Sequence, residues 1–337
     1  MAVDRRGLLV GAGLVLTAAC ARAGQGKSKD VTSGVDWQTF KARFLDPSGR
    51  IVDNGNGGVS HSEGQSYGLA LAFWNDDRAA FDTILGWTDR TLARPDMALY
   101  AWRYDPRQPN PVADPNNATD ADLVIAWILA EAARTWRNEA YAARSKAIRS
   151  AIRHNLVLER HGRHLLLPGI QGFVTAEAVT LNPSYYVWPA LDAFRRLDGD
   201  AAWGRVIGDG EAMLGAARFG PLALPTDWID VTGHDAVSPA AGKPARFGFD
   251  AVRVPLYAKA GRREALLAPI RDFWRGYVAQ RQPIPAWVDV QSGEVAPYAL
   301  SAGGMAIAGG VLGLPAPTSL SADYFAASLQ MLAGRLV

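Results

Sequence analysis

Apolar residues recur at helical spacing in eleven successive stretches, and this periodicity limits what the chain can become. The stretches lie near 36–45, 62–74, 77–93, 119–136, 138–153, 184–197, 200–217, 249–260, 263–279, 300–312 and 320–335. Side chains three and four apart share one face of a helix, so each stretch carries an apolar stripe that another element must cover. No Gly- or Ser-rich linker and no change in charge interrupts the series, which predicts a single domain over residues 25–337. A βα barrel would need apolar strands between the helices, and the sequence lacks them. The expected fold is all-α, a barrel of helical hairpins. One segment departs from the pattern: between 155 and 181 the runs Leu165-Leu166-Leu167 and Phe173-Val174-Thr175, separated by Pro168-Gly169, predict a small β-hairpin insertion.

The first 24 residues carry a different signal. Arg5 and Arg6 precede the apolar run Leu8 to Leu16 and then small residues, the arrangement of an export signal peptide. The run is too short to span a bilayer, and Arg5-Arg6-Gly7-Leu8-Leu9 resembles a twin-arginine signal. Cys20 follows Thr17-Ala18-Ala19, so lipid anchoring there is the alternative to simple cleavage. The mature chain is expected in the periplasm or outside the cell, where freedom from cysteine suits oxidising conditions. No later stretch reaches 18 uninterrupted apolar residues. A single cysteine also excludes an internal disulfide and a thiolate zinc cluster. With 35 Lys and Arg against 33 Asp and Glu, the chain offers nucleic acid no basic surface.

Common catalytic motifs are missing: there is no HExxH, no CxxC, no Walker loop and no GxGxxG after a strand. His161 and His164 flank Gly162 in an expected turn and read as loop residues, not metal ligands. Gly64-Gln65-Ser66-Tyr67-Gly68 satisfies the GxSxG pattern of a serine esterase. That motif needs a buried strand before it, and Asp53-Asn54-Gly55-Asn56-Gly57-Gly58 cannot supply one.

Three acidic positions stand out because each opens a helical stretch. Glu63 follows a Gly-rich loop and completes a Ser60–Glu63 spacing suited to a capping box. Gly64 and Gly68 weaken a helix there, which implies close approach by a ligand or a neighbouring helix. Asp120 and Asp122 follow Thr119, where a cap and two acids complementing the helix dipole are the ordinary account. Asp250 can equally be a cap paired with Arg253 one turn on. In a barrel of hairpins the inner helices run parallel, so three such starts gather at one rim and their acids line a shared cleft.

Four segments in register then resemble glycoside hydrolase family 8: Ser62-Glu63-Gly64-Gln65-Ser66-Tyr67-Gly68, Ala118-Thr119-Asp120-Ala121-Asp122, Asn182-Pro183-Ser184-Tyr185 and Phe249-Asp250-Ala251-Val252-Arg253-Val254-Pro255. The likeness is greatest to the endoglucanases of bacterial cellulose-synthesis operons and covers nearly all of the mature chain. It implies an (α/α)6 barrel and inverting hydrolysis of β-1,4-glucan without cofactor or metal. By motif position Glu63 becomes the general acid and Asp250 the general base. Asp120 holds the sugar at the cleavage site, and Tyr185 and Arg253 arrange the base and its water. Inversion requires the two carboxyls roughly 6.5–9.5 Å apart, with a water between base and anomeric carbon. The resemblance also implies a place beside the cellulose synthase complex. Chitosan, xylan or mixed-linkage glucan are alternative substrates within the family. A catalytically idle glucan-binding protein is the alternative outside it.

A glucan-binding cleft needs flat faces, because pyranose rings pack their C–H surfaces on aromatics. The chain has 11 Trp, 10 Tyr and 11 Phe. Trp102 and Tyr104 lie between helical stretches and read as sugar platforms. Trp127, Trp136, Trp203 and Trp274 fall in helical stripes and read as core, while Tyr186 and Trp188 fit either description.

Overall fold

The structure, a computed structural model, describes residues 34–337. The export signal and Cys20 lie outside the described residues. Eleven α-helices follow one another among the described residues: α1 (Trp37–Phe44), α2 (Ser62–Trp74), α3 (Arg78–Thr91), α4 (Thr119–Trp136), α5 (Glu139–Asn155), α6 (Trp188–Asp198), α7 (Asp200–Ala216), α8 (Val254–Ala260), α9 (Glu264–Ala279), α10 (Ala302–Leu312) and α11 (Tyr324–Leu336). Those expected at 62–74 and 119–136 have the expected limits. The stretch 184–197 divides into a 3-10 turn, Pro183–Tyr185, and α6; the stretch 249–260 divides into a 3-10 turn, Ala251–Arg253, and α8. Pro189 and Pro255 explain both divisions, since proline is accommodated in a first turn but not further inside a helix.

Burial sorts the helices into two layers. In α2, α4 and α11 most residues on every side are buried, as an inner helix requires. α3, α5 and α9 bury a single stripe. Packing closes a ring, α2 on α4, α4 on α6, α6 on α8, α8 on α10, α10 on α11 and α11 on α2. α3, α5, α7, α9 and α1 lie against α2, α4, α6, α8 and α11 respectively. Gly303 faces Ala326 and Leu329 while Gly310 faces Val337, so α10 and α11 run side by side in the same direction. The molecule is thus an (α/α)6 barrel whose fifth link between inner helices, residues 313–323 between α10 and α11, contains no helix. Phe40, Ile84, Leu129, Phe194, Trp203 and Trp274 are wholly buried in its core.

The strands are short. β1 (Ser60–His61) pairs with β2 (Arg103–Tyr104), and β3 (Val157–Arg160) with β4 (Arg163–Leu166). β5 (Val179–Leu181), β6 (Ile229–Val231) and β7 (Val237–Pro239) form a three-stranded sheet, and β8 (Arg246–Phe247) pairs with β9 (Val288–Asp289). The hairpin insertion exists, but its position differs from expectation. The Leu165-Leu166 run pairs backwards onto β3 across His161-Gly162, both at positive φ (55° and 71°), as a tight hairpin turn requires. Pro168 instead accepts the Thr119 amide at 3.0 Å, which anchors the start of α4, and Phe173–Thr175 contributes only an isolated bridge between Val174 and Val179.

Two expected caps also do something else. Ser60 Oγ donates to the carbonyl of Ile51 (2.5 Å) and Thr119 Oγ1 to that of Leu167 (2.6 Å), while α2 and α4 begin without any side-chain cap. Glu63, Asp120 and Asp122 are therefore not engaged as partners in capping boxes.

Candidate active site

Three inner-helix starts converge on one guanidinium. Arg253, in the 3-10 turn before α8, is 2% exposed. Its Nη1 donates to Glu63 in the first turn of α2 and, at 2.9 Å, to Asp120 Oδ2 in the first turn of α4. Its Nη2 donates to Asp250 Oδ1 at 2.7 Å. Tyr67 Oη lies 3.1 Å from Nη1, and the Tyr185 ring lies 5.8 Å from the guanidinium carbon. Nη1 offers two hydrogens to the Glu63 and Asp120 oxygens, and the Tyr67 hydroxyl beside it brings a proton of its own.

Burial differs across the cluster and sets its electrostatics. The Asp120 side chain is 3% exposed, that of Glu63 19% and that of Asp250 32%. Asp120 is pushed up to about 7, first by burial and then by the charge of Glu63, with Arg253 pulling against both. Asp122 is pushed up to about 8, chiefly by burial, although it accepts from the Tyr100 amide and Asn117 Nδ2. Burial also raises the phenols of Tyr67 and Tyr185, which stay neutral and can donate into the cleft. Among the described residues there is no group of three or more His, Cys, Asp or Glu able to hold a metal.

The glycines around Glu63 make room for a neighbouring helix. A methyl on Gly64 would overlap Tyr324 Oη at the start of α11, and one on Gly68 would come within 2.8 Å of Ile51 Cγ1. Ser66 is buried inside α2 and donates to the Glu63 carbonyl at 2.6 Å. Only the two-residue strand β1 precedes α2, and Ser66 lies a full turn inside that helix with its hydroxyl spent on the Glu63 carbonyl, so the GxSxG pattern is not a nucleophile elbow.

Of the sequence-derived residues, Glu63, Asp120, Tyr185, Asp250 and Arg253 form this one cluster. Trp102 lies close by: its carbonyl accepts the Ser62 amide (2.9 Å), and its half-buried ring stacks on His61 (5.8 Å, 13°). Tyr104 is packed edge-on to Trp87 with Arg50 over its ring. Tyr186 and Trp188 are core residues. The sequence reading missed Trp228, which lies 6.3 Å from Tyr185 and stacks on Phe173, and Asp227, which touches the turn holding Asp250. Both precede β6 in a segment with no periodic signal, so nothing local marks them. A cavity of about 590 Å³ lined by Trp74, Trp127, Glu131 and Arg134 lies at the opposite ends of the inner helices and contains none of the clustered acids.

Carboxyl groups gathered on one buried arginine, at the rim of an (α/α)6 barrel, are an arrangement compatible with a glycoside hydrolase. The profile described as "Glycosyl hydrolases family 8" matches residues 12–335, and the chain belongs to that family. It is 41% identical over 280 residues to an endoglucanase of Cellulomonas uda, covering 83% of this chain and 77% of the relative. It is 38% identical to a probable endoglucanase of Novacetimonas hansenii, covering 88% of each. The family 8 endoglucanase Cel10 of Klebsiella pneumoniae superposes with a TM-score of 0.85 at 40% identity, over 88% of this chain and 97% of that one.

Proposed function

We propose that the protein is an endo-acting, inverting hydrolase of β-1,4-glucan, with Glu63 as general acid and Asp250 as general base. The observation that carries this reading is the single guanidinium of Arg253 contacting carboxylates from three distant parts of the chain. Glu63 and Asp250 hang on different nitrogens of that group and do not bond to each other. Space for a water on the Asp250 side is what inversion needs. Asp120 keeps a proton near neutrality beside Glu63, both carboxyls meeting Nη1 of Arg253, and Glu63 is the group placed to protonate the leaving oxygen. Asp250, more open to solvent and tied to Arg253, takes a proton from the attacking water. Asp120 also orients the sugar, Tyr185 lies against the base's side of the cleft, and Trp102 with Tyr104 offers aromatic surface to neighbouring sugars.

Anomer-resolved NMR on cello-oligosaccharides tests the assignment. Initial release of α-anomers is expected; initial β-anomers would reverse the assigned roles. Cellulose, chitosan, xylan and mixed-linkage glucan compared side by side should favour the first. The sequence supports export to the periplasm or beyond, and the family resemblance supports work beside a cellulose synthase complex. Fractionation and co-purification with that complex would test these two points.

A further inference from the structure

Asp227 is a second carboxylate beside the proposed base, and its geometry gives it a separate task. Its Oδ1 accepts the amides of Gly248 (3.1 Å), Asp250 (3.1 Å) and Ala251 (2.7 Å). Three amides converging on one oxygen clamp the turn that carries Asp250. The clamp depends on glycine at 248, where a methyl would come within 2.8 Å of Asp227 Oδ2. The backbone on the other side is also tied, since the Asp227 amide donates to the Arg246 carbonyl at 2.7 Å. Two residues on, the chain enters β6, which pairs with β5, and β5 leads directly into the Asn182–Tyr185 segment. One short sheet therefore holds both the Tyr185 side and the Asp250 side of the cleft.

We propose that Asp227 is a positioning residue for the base, fixing the Gly248–Ala251 turn so that Asp250 meets both Arg253 and the attacking water. This rests on the reading of Asp250 as base. An amide-to-carboxylate bond is about twice as strong as a neutral one, so the clamp is tightest with Asp227 ionised and weaker, though not lost, when the group is neutral. The charged groups near it are Asp250 across the turn, Arg253 beyond that, and Arg246 on β8. Burial, and then the charge of Asp250, push Asp227 up to about 6, against the pull of the three amides. Its ionisation then falls a little below neutral pH.

Asp227→Ala and Asp227→Asn separate a clamp from a substrate contact. In Asp227→Ala, kcat is expected to fall about 100-fold with KM changed less than threefold, because small displacements of a catalytic group carry penalties of that order. Asp227→Asn keeps an acceptor oxygen and should retain at least about a third of kcat. Its activity should also lose the component of the acid-side decline centred near pH 6 that Asp227 contributes to wild type. Wild-type kcat in a folded Asp227→Ala protein would overturn the proposal. So would a raised KM at constant kcat, an Asn variant as inactive as the Ala variant, or an unchanged acid limb in the Asn variant. Asp250→Asn run in parallel keeps the two readings distinct. An active Asp250→Asn enzyme refutes the assignment of the base, whereas an inactive one beside an unaffected Asp227→Ala refutes only the clamp.

Discussion

Asp120 Oδ2 lies 2.9 Å from Nη1 of Arg253, and both side chains are almost sealed from water. Removing one member of such a pair leaves a buried charge uncompensated, at a cost of about 3–5 kcal/mol. Arg253→Met should therefore lower the melting temperature as well as abolish activity. The loss of stability should shrink as the pH is lowered, because protonated acids no longer need the cation. Arg253→Lys should recover stability but not rate, since one ammonium cannot reproduce a fork that reaches Glu63 and Asp250 together. A Lys variant with wild-type kcat would show that the fork is dispensable.

The proton-transfer roles predict a distinct pattern of inactivation. Glu63→Gln and Asp250→Asn should each reduce kcat by about 10²–10⁴-fold, the usual span for general acid–base catalysis, while circular dichroism and melting temperature stay close to wild type. Ser66→Ala should remain active and cost about 1 kcal/mol for the lost bond to the Glu63 carbonyl. Activity should decline as pH rises through about 7, where Asp120, which shares Nη1 of Arg253 with Glu63, loses its proton. The reverse pattern, with Ser66→Ala inactive and Glu63→Gln active, would restore the esterase.

Asp122 makes a prediction about stability alone. Folded, its carboxyl is pushed up to about 8 by burial, whereas unfolded it titrates near its ordinary 3.8. Between those values the folded chain keeps a proton that the unfolded chain releases, so stability falls as pH rises across this window. The slope for one such group approaches about 1.4 kcal/mol per pH unit. Asp122→Asn cannot release that proton, so its stability should fall less steeply between about pH 4 and 8. Its advantage over wild type should be greatest near pH 8. Denaturant titrations at several pH values give the comparison, and parallel curves for the two proteins would refute it.

The residues that could be read from sequence are those whose spacing reports their surroundings. α2 and α4 were legible to their limits because an apolar pattern begins abruptly after a loop. Glu63, Asp120, Asp250 and Arg253 were legible because motifs hold them at helix starts. The Ser60 and Thr119 hydroxyls were misleading: their spacing suits capping, but tertiary carbonyls at Ile51 and Leu167 compete and win. The hairpin was displaced for a similar reason. Pro168-Gly169 looks like a local turn, yet it is drawn to the start of α4, where a methyl on Gly169 would come within 2.7 Å of the Asn117 carbonyl. Asp227 left no trace in the sequence, since its three partners lie more than twenty residues away.

Close approach between α2 and α11 explains one glycine and gives a prediction by double-mutant cycle. Gly64 faces the buried Tyr324, whose Oη lies where a Cβ on residue 64 would go. Gly64→Ala gains helix propensity of about 1 kcal/mol, but overpacking against the phenol costs about 1–3 kcal/mol, so a net loss is expected. Activity should fall too, because Glu63 is the adjacent residue and shares the displaced turn. Tyr324→Phe removes the obstructing oxygen, leaving the ring carbon 3.2 Å from the place the new methyl would take, which slight relaxation can absorb. The double variant should then be more stable than the sum of the single effects predicts, with an interaction energy of about 0.5–3 kcal/mol. Strict additivity would place the clash elsewhere and leave Gly64 without a packing explanation.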